Sequence, residues 1–122
     1  MEHILLVEDE ASVRADLTEI LRDEGYSVAA VKNGQEALEW LRAQPAPRLI
    51  LLDLMMPVMN GWDFRCEQLK DASLAAIPVI LLSGTTDSEQ HQATLSVAAS
   101  VTKPIRIDRL LRAIEQLCAA KP

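Results

Sequence analysis

Asp53 closes an unbroken apolar run, Leu49-Ile50-Leu51-Leu52, and is followed by Leu54-Met55-Met56-Pro57-Val58-Met59-Asn60-Gly61. A carboxylate at the end of a strand buried on both faces is costly unless something nearby uses its charge. Three other apolar runs end on polar side chains. His3 to Val7 runs into Glu8-Asp9-Glu10, Pro78 to Leu82 into Ser83-Gly84, and Val97 to Thr102 into Lys103-Pro104. If these strands are parallel neighbours, the acids, the hydroxyl and the ammonium converge on one edge of one sheet. Open α/β sheets place their ligand sites at that edge. The set suits phosphoryl transfer, which needs an oxygen nucleophile, cations on the equatorial oxygens and an in-line approach. Asp53 can be the nucleophile and form an acyl phosphate. Asp9 and Asp53 can share Mg²⁺, which takes one or two carboxylates and keeps several waters, with Glu8 acting through one of those waters. Lys103 supplies a point charge to one phosphoryl oxygen, Ser83 a hydrogen bond to another, and Gly84 leaves the approach open. Each residue has a plainer role alone: Asp53 as a turn residue, Lys103 as a solvated charge, Ser83 as a turn hydroxyl, Glu8-Asp9-Glu10 as a helix cap. Their placement at four strand ends favours the joint site.

Such a site requires strands and helices in alternation. The pattern does alternate with short connections, which predicts βαβ units and a parallel sheet. The expected strands are Ile4–Val7, Ser27–Val31, Leu49–Leu52, Val79–Leu82 and Val97–Val101. Most are near-continuous aliphatic runs, as helices on both faces require. Ser27–Val31 is Ala-rich and weaker, so it belongs at an edge. A first helix is expected over Ala11–Glu24, with Val13, Leu17, Ile20 and Leu21 on one face and Gly25 as its stop. A second starts near Gln35, turns Ala37, Leu38 and Leu41 inward, and ends at Gln44-Pro45-Ala46-Pro47. A third follows Gly61, anchored by Phe64 and Leu69. The last covers Ile107–Ala119, where Ile107, Leu110, Leu111, Ile114 and Leu117 form an apolar stripe. Before it, Thr86-Asp87-Ser88-Glu89 offers a capping box, yet Gln90 to Thr94 has almost nothing to bury, so a short, mobile or irregular segment is expected.

With 122 residues, the chain is expected to be one domain, 1–122, around one core. Apolar residues at 49% and charged residues at 25% fit a soluble globular protein. Aromatics are only 3%, so Leu, Ile, Val, Ala and Met must fill the core. A net charge of −6, with no cluster of Lys and Arg, argues against nucleic-acid binding and suits a cation or a basic partner. Cys66 and Cys118 match no metal or redox spacing and read as inert, at least half-buried thiols. No apolar stretch is long enough for a bilayer and no signal-like N-terminus precedes Ile4, so a cytoplasmic location without a membrane partner is expected. His3 and His91 are isolated, and Met55, Met56 and Met59 read as loop and core filler. Trp40 reads as a partly covered helix residue, and Trp62 lies near enough to the site to report on it by fluorescence.

In this order along the chain, these residues resemble the receiver domain of two-component response regulators, including stand-alone, chemotaxis-type receivers. The stretch Asp53 to Gly61 is similar to that family's phosphoacceptor loop. The resemblance runs from Val7-Glu8-Asp9-Glu10 through Leu81-Leu82-Ser83-Gly84 to Thr102-Lys103-Pro104-Ile105. It implies a flavodoxin-like α/β sandwich whose five parallel strands run in the order 2-1-3-4-5. It also implies a signalling switch rather than an enzyme: a sensor histidine kinase or histidine phosphotransfer domain phosphorylates Asp53 with Mg²⁺, altering the binding of a downstream protein partner. A phosphorylation-linked dimer is among the implied partners. Further implications are a metal-ligating backbone carbonyl at Met55 and a cis bond between Lys103 and Pro104. Met55 and Thr85 stand where the family tunes the lifetime of the phosphorylated form.

The chain departs from that family at Ser100, where a Tyr or Phe is usual. Ser100 has no ring to turn inward when the hydroxyl moves. Val97-Ala98 replaces a customary Gly-Ala, and the stretch from Ser83 to Lys103 is slightly short. Both changes fall on a face many receivers use for docking, so the signal is expected to leave through a reshaped segment after Ser83 or through another face. Ser100 also motivates an alternative, a constitutive interaction domain that keeps the scaffold without the phosphorylation. A phosphatase of the haloacid-dehalogenase type wants Asp-x-Asp after the first strand, and a flavodoxin wants a Ser/Thr-rich phosphate loop there. Neither fits Glu8-Asp9-Glu10. No output segment follows Pro122, so a stand-alone receiver or a piece of a longer protein is expected.

Overall fold

Aliphatic side chains line the strands without a polar break, and such strands are stable only between two helical layers. In a computed structural model of the chain, which describes residues 3–54, 56, 58–83, 97–103 and 105–118 and all their side chains except His3, Ser83 and Cys118, they lie in that position. The strands are β1 (His3–Val7), β2 (Ser27–Val31), β3 (Leu49–Asp53), β4 (Val79–Ser83) and β5 (Ala99–Thr102). All pairings are parallel, in the order β2-β1-β3-β4-β5, and Ala-rich β2 takes an edge as expected. The described helices are α1 (Ala11–Asp23), α2 (Gly34–Ala43), α3 (Gly61–Lys70) and α4 (Ile107–Cys118).

Alternate residues of each strand feed two cores. Leu5, Val7, Ile50, Leu52, Val79 and Leu81 meet Ala37, Leu38 and Leu41 of α2 and Phe64 of α3. Ile4, Leu6, Leu49, Leu51, Ile80 and Leu82 meet Leu17 and Leu21 of α1 and Leu110 and Ile114 of α4. Asn33 and Asn60 start α2 and α3 by accepting the N–H of Glu36 and Asp63, each at 2.9 Å. The register sets Val7 beside Leu52, Asp53 beside Leu82 and Ser83 beside Thr102, which levels the C-terminal strand ends. Chain order reverses between β1 and β3, the switch point where such sheets open a crevice.

Three expectations need correction. β5 begins at Ala99 rather than Val97: Val97 is buried just ahead of the strand, while the Ala98 N–H donates to Val79 O (2.9 Å). Leu69 is 48% exposed, and α3 instead buries Phe64, Arg65 and Gln68. The Gln68 amide donates to the carbonyls of Leu74 (2.9 Å) and Ile77 (3.1 Å) and accepts from Arg65 (2.8 Å), which ties the turn after α3 to the helix. Cys66 is on the outer face of α3 and exposed. On α1, Val13 and Ile20 share the face of Leu17 as expected, both half-exposed. The expected helix after Thr86 lies outside the described residues. Among the described residues, no helix is long and apolar enough to cross a membrane.

Candidate functional site

Three strand ends bring the site together. The Glu8 N–H donates to Val31 O (3.0 Å), which extends the β1–β2 pairing by one residue and leaves the Glu8 side chain fully buried at 0% exposure. The Arg14 guanidinium donates to the carbonyls of Glu8 (2.8 Å) and Asp9 (3.3 Å), and the Glu10 N–H donates to Glu8 Oε2 (3.2 Å). Sequence reasoning missed Arg14. Its signal was a cation in the first turn of a helix, where the helix dipole disfavours positive charge and some other bond must hold it.

Asp53 ends β3 at 3% exposure. From the end of β5, Lys103 brings its Nζ to 3.3 Å from Asp53 Oδ1 and 3.1 Å from Glu8 Oε1. It also donates to Glu8 Oε2 at 3.4 Å. Among the described residues Glu8 Oε1 is buried with no hydrogen bond, so the ammonium is within ion-pair distance of it but off a bonding line. Carboxylate oxygens of Glu8, Asp9 and Asp53 lie within 4.8 Å of one another. Among the described residues, three acids against one ammonium leave the cluster short of positive charge.

Burial, the charge of Glu8 and a hydrogen bond with Asp9 push the Asp53 carboxyl up to about 7, against the pull of Lys103. Burial alone would depress Lys103, but its bond to Glu8 and the charge of Asp53 outweigh it and hold the ammonium above its ordinary value. A close set of hard oxygens with one buried oxygen left without a hydrogen bond fits Mg²⁺, for which Glu8, Asp9 and Asp53 are the available side-chain ligands.

The loop after Asp53 is pinned at two glycines. The Gly61 N–H donates to Leu54 O (2.9 Å), and a Cβ on Gly61 would stand 2.7 Å from Asp53 O and 2.8 Å from Leu54 Cα. The Gly34 N–H donates to Met59 O (3.0 Å), and a Cβ there would stand 2.8 Å from Met59 Cγ. Between these pins Val58 has φ 67° and is 83% exposed. A β-branched residue in the left-handed region is uncommon and strained.

Of the expected site residues, Glu8, Asp9, Asp53 and Lys103 come together. Ser83 ends β4, one residue past Asp53's strand partner Leu82. Its side chain, and Met55, Gly84, Thr85 and Pro104, lie outside the described residues. Ser100 is half-exposed in β5, opposite Leu81. Trp40 and Trp62 are partly buried against the α2/α3 core.

A family model described as the response regulator receiver domain matches residues 4–115. The DNA-binding response regulator MtrA of Mycolicibacterium paratuberculosis is 41% identical over 87 residues, 71% of this chain and 37% of MtrA. The transcriptional regulatory protein PdtaR of Mycobacterium tuberculosis is 35% identical over 113 residues, 92% of this chain and 54% of PdtaR. The chain thus spans about a third to a half of these relatives. The response regulator TrrA of Thermotoga maritima, solved in complex with Mg²⁺ and BeF, superposes with a TM-score of 0.84 at 29% identity, covering 96% of this chain and 99% of that one.

Proposed function

The chain belongs to the response regulator receiver domain family and is a phosphorylation-dependent switch of two-component signalling, and from that premise we propose how its own residues carry the reaction. Asp53 is the phosphoacceptor. One of its carboxylate oxygens attacks phosphorus in line, the new O–P bond forms as the P–N bond of a donor phosphohistidine breaks, and the imidazole leaves with the electron pair. Lys103, already 3.3 Å from Asp53, moves its charge onto a phosphoryl oxygen as the Asp53 carboxylate becomes an acyl phosphate. Ser83, at the level of Thr102 on the neighbouring strand, donates its hydroxyl to another oxygen. Glu8, Asp9 and Asp53, with the Met55 carbonyl, would hold Mg²⁺, whose charge offsets that of the phosphoryl oxygens.

The observation that carries this reading is the meeting of Asp53 with Glu8, Asp9 and Lys103 at one sheet edge. Receiver domains work with histidine kinases and downstream effectors. For this chain we propose a sensor histidine kinase or histidine phosphotransfer domain as donor, a protein as reader, a cytoplasmic location, and residues 1–122 as one receiver domain. Incubation with acetyl phosphate and Mg²⁺, followed by intact-mass spectrometry, is expected to give one phosphoryl adduct that needs the metal. The adduct is absent from Asp53→Asn. An adduct surviving in Asp53→Asn, or a wild type that neither forms the adduct nor binds beryllofluoride, would overturn the assignment.

A further inference from the structure

Val58 combines two costs that nothing within the described chain offsets. Its φ of 67° strains a β-branched residue, and its side chain, 83% exposed, buries almost nothing. The pins described above explain how it is held there. Met59 O is bound by Gly34 and Leu54 O by Gly61, so the chain must turn sharply between them. Gly or Asn would make that turn without strain. The loop also keeps Val58 close to the reaction: it stands three positions before Gly61, which packs on Asp53 O, a reach of at most about 11 Å.

Asp53 is 3% exposed, so a phosphohistidine on a protein can reach it only if the donor's surface rests on the surrounding rim. The described residues that follow β1, β3 and β5 at that sheet edge are Glu8 to Glu10, Leu54, Met56 and Val58 to Asn60, and Lys103 with Ile105 and Arg106. Of these residues, Val58 is the one large apolar side chain that stands out into solvent. We infer that Val58 is an apolar contact for the protein phosphodonor, seated against an apolar patch beside the donor histidine, and that it separates protein donors from small-molecule donors. The inference rests on the phosphoacceptor role of Asp53, and small-molecule labelling tests that role separately.

The test compares wild type, Val58→Gly and Val58→Thr with two donors: acetyl phosphate, and the phosphorylated catalytic core of a histidine kinase that labels the wild-type chain. Val58→Thr keeps the branching and the strain and changes only a methyl to a hydroxyl, whereas Val58→Gly removes both contact and strain. Acetyl phosphate should label all three within twofold. Transfer from the kinase core should fall at least tenfold in kcat/KM for Val58→Gly and about threefold to fivefold for Val58→Thr, mostly through KM. Val58→Gly should also melt higher than the wild type, which confirms its fold. Kinase transfer at the wild-type rate in Val58→Gly would overturn the inference. So would equal loss with both donors, since the residue would then act on the geometry of Asp53. Loss with acetyl phosphate in the wild type itself would overturn the underlying site instead.

Discussion

At Asp53, burial and a neighbouring acid work against ionisation, and the pH dependence of stability should report it. The folded carboxyl titrates near 7 against an ordinary value of 3.8. A raised folded value means that the stabilising protonated form is fully present below pH 4, and that this stability is lost as pH rises through 7. In urea unfolding with EDTA, Asp53→Asn should therefore gain on the wild type by about 1–3 kcal/mol between pH 5 and pH 8. A difference that stays flat over that range would mean that Lys103 keeps Asp53 ionised throughout. Asp53 and Lys103 were legible in the sequence because each stands at the end of a strand-like run, and Asp9 because it falls in the acidic triplet that follows one. The burial of Glu8 was not, because an acid in an acidic triplet reads as a solvated helix cap. Its direct pairing with Lys103 depends on a partner 95 residues away. Val58 was illegible for a similar reason, since its backbone angle is set by Gly34 and Gly61.

Among the elements, β3 and α3 matter most, because the loop joining them starts and finishes against Asp53. Gly61→Ala places a methyl 2.7 Å from Asp53 O, a backbone atom that cannot rotate away. We expect a loss of about 1–3 kcal/mol in stability and at least a tenfold loss in acetyl phosphate labelling. Asn60→Ala, which removes only the cap bond to Asp63, should cost about 1 kcal/mol and leave labelling within twofold. Equal labelling by both variants would show that the close approach at Gly61 does not position Asp53. The strands were legible because unbroken aliphatic runs admit little else, and α4 because its apolar stripe repeats cleanly. The inner face of α3 was not. Gln68 is buried through bonds to the Leu74 and Ile77 carbonyls, and hydrophobic spacing carries no trace of such bonds.

For the whole molecule, a cluster short of positive charge should be steadied by a cation that only the folded chain can gather. Mg²⁺ at 100 times its dissociation constant should add about 2.7 kcal/mol to unfolding, seen as a rise in Tm that EDTA reverses. Asp9→Asn should lose most of that rise while keeping its Tm in EDTA within a few degrees of the wild type. A full rise in Asp9→Asn would remove Asp9 from the metal site. The ion pair between Lys103 and Glu8 has a further consequence for how the molecule is made. It joins the end of the first strand to the end of the last, and contacts so distant in sequence form late. During translation, Glu8, Asp9 and Asp53 leave the ribosome well before Lys103 does. A half-made chain therefore carries the nucleophile without its ammonium, and competence to receive a signal arrives only with the final strand.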